Sequence, residues 1–370
     1  MRRQLQIVTV VGARPQFIKA AAVSRCMMST NDTTLTEKIV HSGQHYDHGM
    51  SDIFFQELGI PQPWKNLEVG SGTHAMQTAR IMIGLEELLL EQRPNVLIVY
   101  GDTNSTIAGS LVASKLGIPI AHVEAGLRSY NRTMPEEINR VVADHLASLH
   151  FCPSNAAAEN LAREGITNNV HVVGDVMRDM VNHYGNLGAD VDLSNGVYDS
   201  ESPFILATIH RAENTDNINR LAGIVGALNE IPLNVIWPVH PRTVDRLKKY
   251  GIRTGKIQTI DPISYRQMVG LQQRARLIVT DSGGVQKEAY WLRKPCVTVR
   301  DETEWTELVD AGVNVVTGSD PSKILAAVWD FLGEEYVFSA ADDIYGSVGA
   351  SARIVKHLVQ WLSTKPDSTD

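Results

Sequence analysis

Between Gln6 and Thr317 short apolar runs alternate with stretches of helical period, and several of those runs, such as 96–100 and 277–279, are apolar at every position. A strand with no polar alternation has no face for water. It belongs in a parallel sheet covered by helices on both sides, so the chain is predicted to be α/β and doubly wound. Strands are expected at 6–11, 38–42, 96–100, 118–123, 150–152 and 171–173, with helices at 15–28, 74–92, 105–116, 135–147 and 156–164. The pattern breaks over 177–203, which is rich in Asn, Gly, Asp and Ser and is taken as the connection between domains. It restarts with strands at 204–209, 234–239, 257–260, 277–280, 296–299 and 313–317, and helices at 217–229, 242–249, 265–272, 322–332 and 351–363. The simplest architecture is two Rossmann-like domains facing a cleft, 1–176 and 177–349. Chemistry should then sit in the loops after the strands, because open α/β sheets bind ligands at the carboxyl ends of their strands.

The 370 residues suffice for two such cores, and an apolar fraction of 43% fills them. A net charge of -8 without a long basic run argues against nucleic acid or an anionic membrane as partner. Three cysteines, Cys26, Cys152 and Cys296, lie far apart, and no Cys-x-x-Cys occurs, so neither a disulfide framework nor a zinc cluster is expected. Met1-Arg2-Arg3 is followed by too short an apolar run for a secretory signal, and no segment is long enough to span a bilayer. A soluble, cytoplasmic protein is expected.

The strand-following loops carry the candidates. Asp281-Ser282-Gly283-Gly284 lies between an apolar strand and a helix. Its first helical amides can seat a phosphate, and Glu288, one turn in, can reach the hydroxyls of a ribose. The other reading is an ordinary strand-to-helix turn with Ser282 as N-cap. Gly12-Ala13-Arg14-Pro15 is neither a dinucleotide fingerprint nor a Walker loop, but Arg14 and Lys19 can reach a diphosphate. Ser42-Gly43-Gln44-His45 is a polar ligand-contact loop, and no metal site is expected there. Asp102 either caps a helix or does chemistry, and Glu124 ends an apolar strand with no evident structural duty. Glu136 and Glu137 open a helix, where dipole chemistry explains one of the pair. Carboxylates clustered as Asp102, Glu124 and Glu136 split their pKa values, so that one can be a base and another an acid. His210-Arg211 and His240-Pro241-Arg242 end the first two strands of the second half, as core histidines or as contacts to an anion.

In their order and spacing these segments resemble the non-hydrolysing UDP-N-acetylglucosamine 2-epimerases. The matches are Gly12-Ala-Arg-Pro15 with Lys19, Ser42-Gly-Gln-His45, Gly101-Asp-Thr103, His122-Val-Glu-Ala-Gly-Leu-Arg128, Pro135-Glu-Glu-Ile-Asn-Arg140, Thr208-Ile-His-Arg211, Pro238-Val-His-Pro-Arg242 and Asp281-Ser-Gly-Gly-Val-Gln-Lys-Glu288. The resemblance implies the two-domain fold of the GT-B nucleotide-sugar glycosyltransferases, with residues 350–370 returning to the first domain. It implies a UDP-sugar substrate, no cofactor, no metal, a homodimer, and supply of cell-surface polysaccharide precursors. Asp102, Glu124 and Glu136 would be the acid/base set, with His210 at the diphosphate or the proton transfer. Arg14, Lys19, Arg140, Ser282, Gly283, Gly284 and Glu288 would hold UDP. Gln44, His45, Arg211 and His240 would contact the sugar, or a second, activating UDP-sugar of the kind bacterial members bind.

The expected reaction interconverts the UDP derivatives of N-acetylglucosamine and N-acetylmannosamine through 2-acetamidoglucal and UDP. One segment departs from that pattern. Arg300-Asp-Glu-Thr-Glu-Trp-Thr-Glu307 has Trp305 where an arginine is expected and Thr306 where a proline is, and the first loop has Gln16 in place of Glu. These variants resemble the branch acting on UDP-2,3-diacetamido-2,3-dideoxy-glucuronate. Other readings are a glycosyltransferase of the same fold, a hydrolysing epimerase, and a sugar-nucleotide-binding regulator.

Overall fold

The computed structural model describes residues 4–30, 35–44, 55, 57–187, 202–341 and 343–364. His45 lies outside the described residues, as does most of the polar connection, 188–201. The chain divides into two compact units, Met1–Met180 with Tyr345–Asp370, and Val181–Ile344.

The first unit carries a seven-stranded sheet in the order β3-β2-β1-β4-β5-β6-β7. Its strands are β1 (Leu5–Val11), β2 (Leu35–His41), β3 (Lys65–Asn66), β4 (Val96–Tyr100), β5 (Ile120–Val123), β6 (Leu149–Cys152) and β7 (Val170–Val172). The second unit carries six strands in the order β10-β9-β8-β11-β12-β13. They are β8 (Phe204–Thr208), β9 (Asn234–Pro238), β10 (Gln258–Ile260), β11 (Leu277–Thr280), β12 (Cys296–Thr298) and β13 (Asn314–Val316). Every strand pairing is parallel. The β1–β4 and β8–β11 neighbours are the points where strand order reverses, and the candidate loops cluster around them.

The apolar runs behave as their composition requires. All five residues of β4 are fully buried. In β8, Ile205 and Ala207 point into one core with Leu221, Ile224 and Trp237, while Phe204 and Leu206 point into the other with Ile278 and Ala289. That is the period of two expected for a strand buried on both faces. The edge strands β3, β7, β10 and β13 have only two or three residues each, which limits edge-to-edge pairing.

The expected strands and helices are found with bounds within three residues, while β3 and the short helices Ala212–Thr215 and Thr306–Asp310 were not expected, and one stretch needs correction. The stretch from 177 is not irregular at its start, because Val176–Leu187 is a helix. Its buried residues Val176, Met177, Met180, Val181 and Tyr184 recur at helical spacing. The polar residues between them masked that period. Asp179 on this helix accepts hydrogen bonds from Gly349 N (2.6 Å), Ser351 N (2.8 Å) and Ser351 Oγ (2.5 Å). They fix the start of the last helix, Ala350–Ser363, which packs on Arg14–Ser29.

At the β7 edge the ring of His171 stacks on His357 of that last helix, with centroids 4.1 Å apart and planes at 20°. Burial, then His357 and His150, hold His171 below the ordinary histidine value of 6.5. Burial, then Lys356, hold His357 below it. A histidine depressed on folding binds fewer protons in the folded state, so stability falls as pH drops below about 6.5. The melting temperature should therefore be lower at pH 5 than at pH 7.5, and His357→Asn should reduce that difference. An unchanged difference would show that the pair contributes nothing to the acid sensitivity.

Candidate active site

In the first unit the site begins at the turn after β1. Ser42 Oγ and Ser105 Oγ hydrogen bond to each other at 2.8 Å, and a Cβ on Gly12 would lie 2.1 Å from one and 2.2 Å from the other. Only glycine fits there. Gln16 closes the turn, its Oε1 accepting from Gly12 N (2.8 Å) and Ala13 N (3.2 Å) and its Nε2 donating to Tyr100 O (2.8 Å) and Thr106 Oγ1 (3.1 Å). A glutamate could not make the two donating bonds, so the glutamine suits this packing. The amides after β1 are thus already satisfied. Arg14 is exposed, its charge near Glu57. Gln44 Oε1 accepts from Ser105 N and Oγ on the same side of the sheet.

Asp102 follows β4. It does not cap the next helix, whose N-cap is Thr103 in a capping box with Thr106. Its carboxylate pairs with Arg140, while Asn139 Nδ2 holds its carbonyl at 2.9 Å. Burial is the main reason its pKa is raised above the ordinary 3.8. Arg140 and Lys19 oppose the rise, and Glu124 and Glu136 add to it. Glu124 follows β5 in the left-handed region at φ 69°. That conformation costs a non-glycine residue about 1 kcal/mol or more. It is held by Glu124 N and Ala125 N, both donating to Phe151 O at 3.0 and 3.1 Å. The Glu124 side chain pairs with Lys19, and both lie against Gly101.

The two glutamates of the helix Pro135–Leu146 separate cleanly. Glu137 is buried and accepts from Ser129 N, Ser129 Oγ and Tyr130 N, each at 2.9 Å, so it shapes the loop. Glu136 is half-buried, and its charge is felt at Asp102. Asp102, Glu124, Glu136, Lys19 and Arg140 thus form one cluster. Lys19 and Arg140, assigned to UDP from the sequence, stand among the carboxylates.

In the second unit the organising group is Asp281, which the sequence reading left out of the site. It is fully buried. It accepts from His210 N (3.0 Å), Arg211 N (3.0 Å) and Asn214 Nδ2 (3.1 Å), and its Oδ1 lies 3.3 Å from His210 Nδ1. The His210 side chain is otherwise half exposed at 49%. The signal that could have found Asp281 is the one that found Asp102, a carboxylate ending an apolar strand before a helix.

Ser282 does cap the helix Gly283–Trp291, accepting from Val285 N at 3.5 Å. A Cβ on Gly283 would lie 2.5 Å from Glu304 Oε1 and 3.4 Å from Trp305 Nε1, so these two residues sit directly over the helix start. A side chain on Gly284 would meet only Ser282 Oγ, at 4.0 Å. Trp305 is buried, with Lys287 Nζ 4.1 Å from its ring centroid. Burial works against the charge of Glu304, yet Arg300 and Arg211 keep its pKa below the ordinary 4.5. Glu288 is buried, accepting from Tyr265 Oη (3.2 Å) and Gln272 Nε2 (2.6 Å). His240 caps the helix Pro241–Tyr250 through Nδ1, and Arg242 pairs with Asp216.

Residues 28–359 match the family model described as UDP-N-acetylglucosamine 2-epimerase. The chain belongs to the UDP-N-acetylglucosamine 2-epimerase family. A relative from Pseudomonas aeruginosa, named UDP-2,3-diacetamido-2,3-dideoxy-D-glucuronate 2-epimerase, is 47% identical over 96% of this chain and 100% of its own. The Methanocaldococcus jannaschii UDP-GlcNAc 2-epimerase, solved with UDP-GlcNAc and UDP, superposes with a TM-score of 0.87 at 40% identity, covering 96% of this chain and 100% of that one. A calicheamicin glycosyltransferase, 14% identical over 98% of this chain and 99% of its own, superposes at 0.58 and shares the fold alone. The family's members are named epimerases, which are isomerases, and their two-sheet α/β architecture is the one found here. Among the described residues no helix is long and apolar enough to cross a membrane.

Proposed function

We propose that this chain is a non-hydrolysing 2-epimerase interconverting UDP-GlcNAc and UDP-ManNAc. The observation that carries the reading is the first unit's cluster of Asp102, Glu124 and Glu136 with two cations inside it, in a member of this family. Glu124, beside Lys19, is the base that takes the proton from C2. The C1–O bond breaks, its electrons leave with UDP, and a C1–C2 double bond forms, giving 2-acetamidoglucal. Asp102, whose ionised form burial disfavours, returns a proton to the opposite face of C2, and the UDP oxygen adds back to C1. Within the second unit, His210, Arg211, Ser282, Gly283 and Gly284 are suited to a diphosphate and Glu288 to a ribose. Exchange of the Glu124 and Asp102 protons with water resets the site.

A second reading of the sugar is favoured by the 47% identical relative and by Trp305 with Thr306 in the Arg300–Glu307 segment. In it the substrate is UDP-2,3-diacetamido-2,3-dideoxy-glucuronate and the chemistry is unchanged. Proton NMR in deuterium oxide separates the two. Loss of the C2 proton of UDP-GlcNAc with growth of UDP-ManNAc supports the first, and turnover of the diacetamido uronate alone supports the second. Free N-acetylmannosamine with UDP would mean hydrolysis, and silence with both sugars would overturn the epimerase reading.

We also propose a cytoplasmic homodimer supplying cell-surface polysaccharide precursors. Met76, Ile83 and Leu90 recur every seven residues on the exposed side of the helix His74–Gln92, a stripe suited to a second copy. Sedimentation of the wild type and of Ile83→Glu tests this. A monomeric wild type would refute it.

A further inference from the structure

Two histidines lie side by side under the first unit's carboxylate cluster, His122 on β5 and its register partner His150 on β6. Both are buried, but their ring nitrogens meet different neighbours. His150 Nε2 donates to Asp144 O at 2.8 Å, and its Nδ1 has no hydrogen-bond partner among the described residues, which is the pattern of a neutral imidazole. His122 Nδ1 lies 2.7 Å from Asp144 Oδ1, and Nε2 lies 2.8 Å from Gly101 O. Both of these neighbours are acceptors, so both His122 nitrogens carry hydrogen.

We propose that His122 is a positioning residue, held as an imidazolium, that ties the Asp102 turn to the Glu124 turn. One end grips the carbonyl of Gly101, the residue before Asp102. The other end grips Asp144, whose second oxygen accepts from Gly126 N (3.1 Å) and Arg128 Nη1 (2.7 Å), on the loop that follows Glu124. Arg128 is in turn paired with Glu164 through Nε (2.7 Å) and Nη2 (2.8 Å). The charges facing His122 therefore alternate: Asp144 negative, Arg128 positive, Glu164 negative. His150 is neutral, and Lys19 and Glu124 lie across Gly101. Asp144 stays ionised because His122 and Arg128 outweigh the burial that opposes its charge. A neutral His122 would leave either Asp144 or the Gly101 carbonyl without its bond in a buried place, at a cost that the second proton removes.

The role rests on the epimerase reading, and the test separates the two. With 15N-labelled histidine, the signal lost in His122→Gln should show both nitrogens protonated at pH 7.5, because both face acceptors. In the C2 exchange assay His122→Gln should lower kcat about 30-fold or more and change KM less than about threefold. Its acid limb in the kcat–pH profile should move up by about half a unit, because Asp102 and Glu124 lose a nearby positive charge. A purely structural loss would scale the profile without moving it. His150→Gln should keep both kcat and profile. A neutral His122 at pH 7.5, or a wild-type profile in His122→Gln, would overturn the proposal. If the wild type turns over neither sugar, the epimerase reading fails, and the 15N signature alone decides the imidazolium: protonated at both nitrogens supports it, neutral overturns it.

Discussion

Glu124→Gln is expected to lower kcat about 10²- to 10⁴-fold, the range lost with a general base, while the melting temperature changes little. Glutamine keeps the size of the side chain and still offers an oxygen to Lys19, so the left-handed turn at Glu124 and its two amide bonds to Phe151 should persist. Deuterium exchange at C2 should be lost along with net epimerisation, because no group then takes the proton. Asp102→Asn should differ in kind. It removes the acid while keeping a partner for Arg140, so proton removal and UDP release survive in part, and glycal with free UDP should accumulate over long incubations. Glu136→Gln tests the third member of the set. Its charge raises Asp102, so its removal should lower that pKa as well as kcat. Wild-type turnover in any of the three variants would remove that residue from the acid/base set.

Asp281→Asn should cost stability and activity together. Four donors converge on this buried carboxylate: the amides of His210 and Arg211, the side-chain amide of Asn214 and the His210 ring. Asparagine offers one accepting oxygen and turns an NH2 group toward the rest, so at least one buried donor faces another donor. The expected loss is about 3 kcal/mol, typical of breaking one side of a buried polar network. The His210 ring would also turn its proton away from position 281, which leaves its outer nitrogen in the wrong state for a ligand. Urea unfolding measures the first effect and kcat/KM the second. An Asp281→Asn protein with wild-type stability would show that the carboxylate is not the anchor of this loop.

The carboxylate at a strand end was legible in the sequence, but its partner was not. Asp102 read first as a helix cap and second as a catalytic group, and the structure gives the cap to Thr103 and pairs Asp102 with Arg140, 38 residues further on. Glu136 and Glu137 are adjacent and chemically alike. Only the approach of Ser129 and Tyr130 turns Glu137 to structure and leaves Glu136 to the cluster. Lys19 and Arg140 were expected at a diphosphate, and their pairing with Glu124 and Asp102 could not be read from the sequence. The helix cap that His240 makes through Nδ1 was likewise not legible, while the residue stays exposed.

What the sequence by itself determined was the architecture and the family. Apolar strands without alternation demand a sheet covered on both faces, and the spacing of the loop motifs is too particular to arise on another scaffold. What only the tertiary structure decided were the partners of the ionisable groups. Those depend on which charges and acceptors come within a few ångströms in a medium that screens poorly. His122 and His150 make the point on neighbouring strands: the same residue type, equally buried, has one ring between two acceptors and the other with only Nε2 engaged among the described residues.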